Sequence, residues 1–247
     1  YDLKSQITED KWRVNTYDED APGVASAVKG TDGNYYMAQA QSSWGTGLDA
    51  INIVKMDSTG SLLSYKSFGD ADAPFFDGYS LTQYDSLKFL LTTTNSIVKY
   101  DENSGQAIPF FTKYNNEKIM PNGRLITTDS ITYYGLTLGI AQTFKSDGSI
   151  DNKGNTAVLF SYKPSDDDFQ ILLDLGKTDI TPGNEVTIYK DKIYWLANEV
   201  DKTAIYSYDL NSQVNTKLAL DKATEGSFYI GSFTAYNDKF YATSYNG

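Results

Sequence analysis

Between Val24 and Phe68 the chain passes through four short runs in which apolar and polar residues alternate. They are Val24–Lys29, Asn34–Gln41, Ala50–Met56 and Ser61–Phe68. Asp32-Gly33 separates the first two, and Asp57-Ser58-Thr59-Gly60 the last two. Both separators have hairpin-turn composition. A Ser/Gly stretch, Ser42 to Asp49, joins the middle pair. A period of two over runs this short specifies strands, and the turns make them antiparallel.

The same unit recurs in degraded form, which shows in three registers. The turn between the first two strands of each unit holds Asp32, Asp85, Asp129, Asp191 and Asp238, each followed by an aromatic or Leu-rich strand. The turn after the third strand holds Met56-Asp57, Tyr100-Asp101 and Tyr208-Asp209, with Tyr1-Asp2 as a further copy. The third unit departs there, with Tyr162-Lys163-Pro164 and the acidic run Asp166–Asp168. The links between units form the third register. Asp18–Pro22 and Asp70–Pro74 match almost residue for residue, and Pro121, Pro182 and Gly226 fall at the corresponding places. Proline cannot donate to a ladder, so these prolines are expected in links.

Repeated four-stranded antiparallel units of this size predict an all-β chain, a β-propeller of five four-stranded blades forming a single domain over residues 1–247. The fifth blade is expected to be shared between the termini, and incomplete. Tyr1–Gln6 parallels Tyr208–Gln213, Lys11–Tyr17 reads as a fourth strand, and Lys239–Tyr245 reads as a second strand. Most of a third strand is missing between them. Further residues of the same chain, further blades, or a strand from another chain would each fill the gap.

Composition narrows the chemistry. The net charge of −11 argues against nucleic acid and anionic membrane surfaces as partners. No run of 18 apolar residues is present, so no membrane-spanning helix is expected. With no His and no Cys, the chain cannot build a Ser-His-Asp triad, a Cys-His pair, a Cys/His zinc site or a disulfide. The first residue is Tyr, not Met, which reads as a processed chain or a fragment.

The first unit resembles the β-propeller repeats of secreted and cell-surface proteins. Those repeats carry DGGY, a Ser/Gly loop, K-x-D-x-x-G and W-x-K-x-F-G-G. Here the corresponding residues are Thr31–Tyr35, Ser42–Gly47 with Asp49, Lys55-Met56-Asp57 with Gly60, and Tyr65–Gly69. Tyr65 stands where Trp is usual and Asp70 where the second Gly is. The second unit keeps Lys99-Tyr100-Asp101 and Gly105. The resemblance implies a propeller and a surface protein, and no particular activity.

Candidate site residues come from the loops expected on one propeller face. Asp18, Asp20, Asp70, Asp72 and Asp77 could converge on a cation such as calcium through oxygen ligands, joined by Glu19, Glu199 and Asp201. Aspartate is equally a good turn residue. Trp44, in a Ser/Gly loop, could stack on a sugar or enter a partner, or pack on its own blade. Trp12 and Trp195 fall in strands and read as core. The insert Lys145–Gly154 is rich in oxygen ligands but lacks the Gly and Glu of a calcium loop. Asp77 and Glu185 could form a glycosidase carboxylate pair near the starts of inner strands.

The expectation is a non-enzymatic extracellular structural or adhesive module, a subunit of a surface fibre or assembly. Its partners would be other protein subunits, including copies of itself. A glycan- or cation-dependent, lectin-like propeller is one alternative, and a carboxylate glycoside hydrolase another.

Overall fold

The computed structural model describes residues 24–41, 50–68, 78–93, 96–115, 117–138, 142–144, 150–152, 156–177, 181–199, 202–218 and 228–246. Every element among them is a β-strand. The chain divides into two compact units at Phe111/Thr112.

The first unit holds two four-stranded antiparallel sheets, each a meander in sequence order. One contains β1 (Val24–Lys29), β2 (Tyr35–Gln41), β3 (Ala50–Met56) and β4 (Leu62–Phe68). The runs read from the sequence match these to within a residue. The other contains β5 (Gly78–Asp85), β6 (Lys88–Thr93), β7 (Ser96–Asp101) and β8 (Gln106–Phe111). The sheets pack face to face. Tyr36, Ala38 and Ile53 of the first meet Leu81, Phe89, Leu91, Val98 and Tyr100 of the second, all buried. Tyr36 and Phe89 have ring centroids 4.5 Å apart, and Phe89 and Tyr100 stack at 6.1 Å.

The second unit opens with a small ribbon, β9 (Lys113–Tyr114) and β10 (Glu117–Lys118). Its first full sheet contains β11 (Met120–Ile126) and β12 (Tyr133–Leu138), then, after an inserted hairpin of β13 (Gln142–Phe144) and β14 (Ile150–Asn152), β15 (Thr156–Lys163) and β16 (Asp168–Lys177). A second full sheet contains β17 (Thr181–Tyr189), β18 (Lys192–Glu199), β19 (Lys202–Asp209) and β20 (Asn215–Leu218). A two-stranded sheet of β21 (Phe228–Tyr236) and β22 (Lys239–Asn246) follows. Leu136 and Leu159 pack against Val186, Ile193, Trp195 and Tyr208. Trp195 is core, as expected; Trp12 lies outside the described residues.

Among the described residues the aspartates of both turn registers lie in a hairpin turn or end the strand that leads into one, and their carboxylates explain why; Tyr1-Asp2 lies outside the described residues. Asp57 accepts hydrogen bonds from the backbone N–H groups of Thr59 (2.8 Å) and Ser61 (2.9 Å). Asp101 accepts from Asn103, and Asp209 from Asn211 and Ser212. Asp129 accepts from Ile131 and Thr132, both at 2.8 Å. These are Asx turns, in which a side chain replaces a ladder partner. Lys190-Asp191 and Asn237-Asp238 both have positive φ, the geometry of a two-residue hairpin turn.

The proline register is corrected. Pro121 and Pro182 lie inside strands, paired opposite Thr137 and Ala197, and not in links. Each strand is the first of its sheet, with one open edge where a missing N–H costs no ladder bond. The links Asp18–Pro22 and Asp70–Pro74, Gly226, Tyr1–Gln6 and Lys11–Tyr17 lie outside the described residues.

Candidate functional site

The sequence-derived candidates Trp44, Asp18, Asp20, Asp70, Asp72 and Asp77, with Glu19 and Asp201, lie outside the described residues. Glu199 ends β18, and Glu185 falls in β17 beside an irregularity in its pairing with β18. In the Lys145–Gly154 insert, Ile150–Asn152 form a strand arm in which Asp151 pairs with Thr143. Among the described residues no three His, Cys, Asp or Glu side chains gather as a metal site would require.

Among the described residues a network of charged side chains stands out that sequence reading missed. It lies at the seam between the β1–β4 and β5–β8 sheets. Strand pairing sets Tyr36 between Val28 and Lys55, so Tyr36 and Lys55 share the face turned toward β5–β8. Ile53 pairs with Lys66, which brings Lys66 to that face as well. Across the seam, Glu102 follows Tyr100-Asp101 in the turn after β7. Its N–H bonds the Leu87 carbonyl at 3.0 Å, which fixes the turn.

Lys55 Nζ lies 3.0 Å from Asp32 Oδ2 and 3.3 Å from Glu102 Oε1. Lys66 Nζ lies 2.9 Å from Glu102 Oε2 and donates to the Tyr100 hydroxyl at 2.9 Å. Tyr36 donates to Asp32 at 2.9 Å, and Tyr100 donates to Glu102. The two ammonium groups also sit over aromatic faces, Lys55 at 5.2 Å from the Tyr36 ring centre and Lys66 at 5.4 Å from that of Tyr100. Glu102 is 13% exposed and Lys55 16%. Gly30 makes room for the arrangement, because a Cβ there would stand 2.6 Å from the Tyr36 ring and 2.8 Å from Asp32 Oδ1.

Asp32, Glu102 and Lys55 are held in their charged forms, and Tyr36 and Tyr100 in their neutral ones. Burial works to raise Asp32, but hydrogen bonds from Asn34, Lys55 and Tyr36 outweigh it and hold the carboxyl far below its ordinary value. Burial likewise opposes Glu102, and Tyr100, Lys66 and Lys55 pull it down. Burial would lower Lys55, yet Tyr36, Asp32 and Glu102 raise it. Burial chiefly pushes Tyr36 up to about 12. A general acid needs a carboxyl raised toward neutrality. These groups are shifted the other way, so the constellation is suited to holding two sheets together.

No family model matches the chain, and no curated protein matches it. Solved structures do. An ACO/RPE65 chimera is similar with a TM-score of 0.50 and 10% identity, over 85% of this chain and 51% of that one. A puromycin-hydrolyzing peptidase of Mycobacterium tuberculosis gives 0.52 and 8%, over 80% and 29%. The extracellular domain of BT4673 from B. thetaiotaomicron gives 0.50 and 13%, over 93% and 32%. The chain thus spans from under a third to about half the length of these proteins. Likeness at this identity concerns fold alone, and it is to propeller-like assemblies of antiparallel sheets.

The other half-exposed feature is the β21–β22 hairpin. One face packs on the preceding sheet, with Phe240 edge-on to Tyr194 at 5.0 Å. At its turn, Asp238 accepts from the Tyr189 hydroxyl at 3.3 Å and pairs with Lys190. The pairs Thr234–Tyr241 and Tyr236–Lys239 belong to the opposite face, where Tyr236 is 62% and Tyr241 51% exposed.

Proposed function

We propose that the chain is a non-enzymatic structural or adhesive module of the cell exterior, and a subunit of a surface assembly. In this reading its five repeat units are blades of one propeller, with the fifth shared between the termini. The single observation that carries the reading is how the repeats use their chemistry. Their shared aspartates cap turns, and the lysines of the first repeat's K-x-D and x-K-x-F-G motifs bind the adjacent sheet at Glu102. Meanwhile large apolar side chains such as Ile108, Tyr236 and Tyr241 remain exposed. Exposed apolar surface on a well-packed scaffold suits contact with other proteins. The likeness of the repeat motifs to those of surface proteins supports an extracellular setting.

The test is the state of the native protein on its source. Imaging and mass of the isolated surface material should place the chain within an assembly. A glycan array and a calorimetric calcium titration examine the lectin-like alternative, centred on Trp44 and the acidic links. Glycoside hydrolysis that disappears in Asp77→Asn or Glu185→Gln would replace the structural reading with an enzymatic one.

A further inference from the structure

The four complete sheets share one register, so the residues that meet where sheets stack can be compared from sheet to sheet. The position of Lys55 in β3 is held by Lys99 in β7, Ser161 in β15 and Ser207 in β19. Lys66 pairs with Ile53, and the residues paired with Ile97, Leu159 and Ile205 are Phe110, Leu173 and Leu218. The turn after the third strand offers Ser58, Glu102, Pro164 and Leu210 at the position of Glu102. No two of these sheets repeat the combination. Lysine at both strand positions belongs to the first sheet, and a carboxylate at the turn position to the second.

Within each unit the seam joins matched partners. Lys55 and Lys66 meet Glu102 in the first, with the Tyr100 hydroxyl bonded to both Lys66 and Glu102. In the second, Leu173 and Leu210 pack on the core of Leu159, Trp195 and Tyr208. Mixed partners would be costly. Docked on a turn that offers Leu or Pro, Lys66 would lose its carboxylate and Lys55 one of its two. Docked on a face that offers Ser and Leu, Glu102 would meet no cation. Stripping a part-buried charge of its partner is penalised far more than the intact pair is rewarded. Chains built from similar repeats are also prone to dock them out of order while folding.

We propose that Lys55, Lys66 and Glu102 form a pairing code, which admits the second sheet to the first and rejects the others during folding. The network then contributes chiefly to the uniqueness of the fold. An apolar seam holds two sheets together equally well, as Leu173 and Leu210 do, but it accepts any apolar neighbour. Charges that must be matched do not. The inference concerns how the chain folds and is independent of the surface role proposed above.

The test refolds variants of the full 247-residue chain from urea and measures the native monomer recovered, by size exclusion and hydrogen exchange. One variant carries Lys55→Ser, Lys66→Leu and Glu102→Leu, which gives the first seam the chemistry of the second. Another carries Ser161→Lys, Leu173→Lys and Leu210→Glu, which does the reverse. Tyr134 already pairs with Ser161 as Tyr36 pairs with Lys55, so the reverse exchange keeps its tyrosine. Each of these variants leaves the two seams alike. A third variant carries all six substitutions, which exchanges the codes and keeps them distinct. Recovery should fall to about half or less in the first two, with the remainder misassembled, and return toward the unmodified value in the third. Unchanged recovery in either of the first two would overturn the proposal, as would a third variant that recovers no better than they do. If the first variant has no folded form at all, the network supplies stability and not selection, and the proposal fails.

Discussion

The first unit and the second each contain a seam between two complete sheets, built on one pattern with different chemistry. Register makes the positions comparable. Tyr36 pairs with Lys55 as Tyr134 pairs with Ser161, and Ile53 pairs with Lys66 as Leu159 pairs with Leu173. Glu102 follows Tyr100-Asp101 as Leu210 follows Tyr208-Asp209. Even the turn contact is kept, Glu102 N–H to the Leu87 carbonyl and Leu210 N–H to the Asp191 carbonyl. Where the first unit places Lys66 and Glu102, the second places Leu173 and Leu210, both packed against its core. A part-buried ion network and an apolar contact therefore solve the same problem. Desolvation can cancel most of the Coulomb gain of buried pairs, which makes the two solutions close in energy.

The largest effect should come from what the seams share, their aromatic centres. Phe89→Ala and Trp195→Ala should each cost about 3–5 kcal/mol in urea unfolding, because each leaves a cavity in a close-packed face. A much smaller loss for Phe89→Ala would mean that the ion network, not ring packing, holds the first seam.

The next test exchanges one solution for the other. Glu102→Leu alone should cost about 2–3 kcal/mol, since it takes the carboxylate from Lys66 and leaves Lys55 with Asp32 alone at the edge of a core. Adding Lys66→Leu and Lys55→Ser, which copies the second seam, should restore most of that loss. If the triple variant is less stable than the single one, the seams are not interchangeable.

A smaller difference should appear in acid. Asp32 and Glu102 are held below their ordinary values of 3.8 and 4.5. The unfolded chain then takes up protons before the folded one does. Their contribution is complete above those values and is lost as the pH falls below them. Unfolding measured between neutral pH and the acid limit should lose less stability in the triple variant, provided Asp32 is also changed to Asn. Equal acid sensitivity in the two proteins would assign the effect to other carboxylates.

The smallest effect belongs to the third contact, Lys190 with Asp238, whose side chains are 63% and 71% exposed. Asp238→Asn should leave the unfolding midpoint unchanged within error, because water and salt screen such pairs. A clear loss would show that Asp238 matters through the Tyr189 hydroxyl and the backbone of its turn.

The contrast between seams also shows where sequence reading succeeds. Strand limits were legible because a period of two and an Asx turn are local signals, and Asp57 meets its partners within four residues. The prolines misled because a local rule forbids them in a central strand but not in a first strand with an open edge, and strand order is not local. Lys55 and Glu102 lie 47 residues apart, and their meeting depends on how two sheets stack. The one available hint was the lysine fixed within a recurrent K-x-D motif. Its partner had no signature, since the residue after Tyr-Asp is Glu in one unit and Leu in another. The acidic links and Trp44 fall outside the described residues, so no physical account of them follows from the fold.

The hairpin of β13 and β14 sits between β12 and β15, which nevertheless pair as β2 and β3 do across a shorter link. Closing a longer loop costs only logarithmically more. The connection between second and third strands is thus a port, where sequence can be added or exchanged while the ladder beneath it stays in register. That is where diversity would accumulate, and where a foreign peptide could be carried without rebuilding the scaffold.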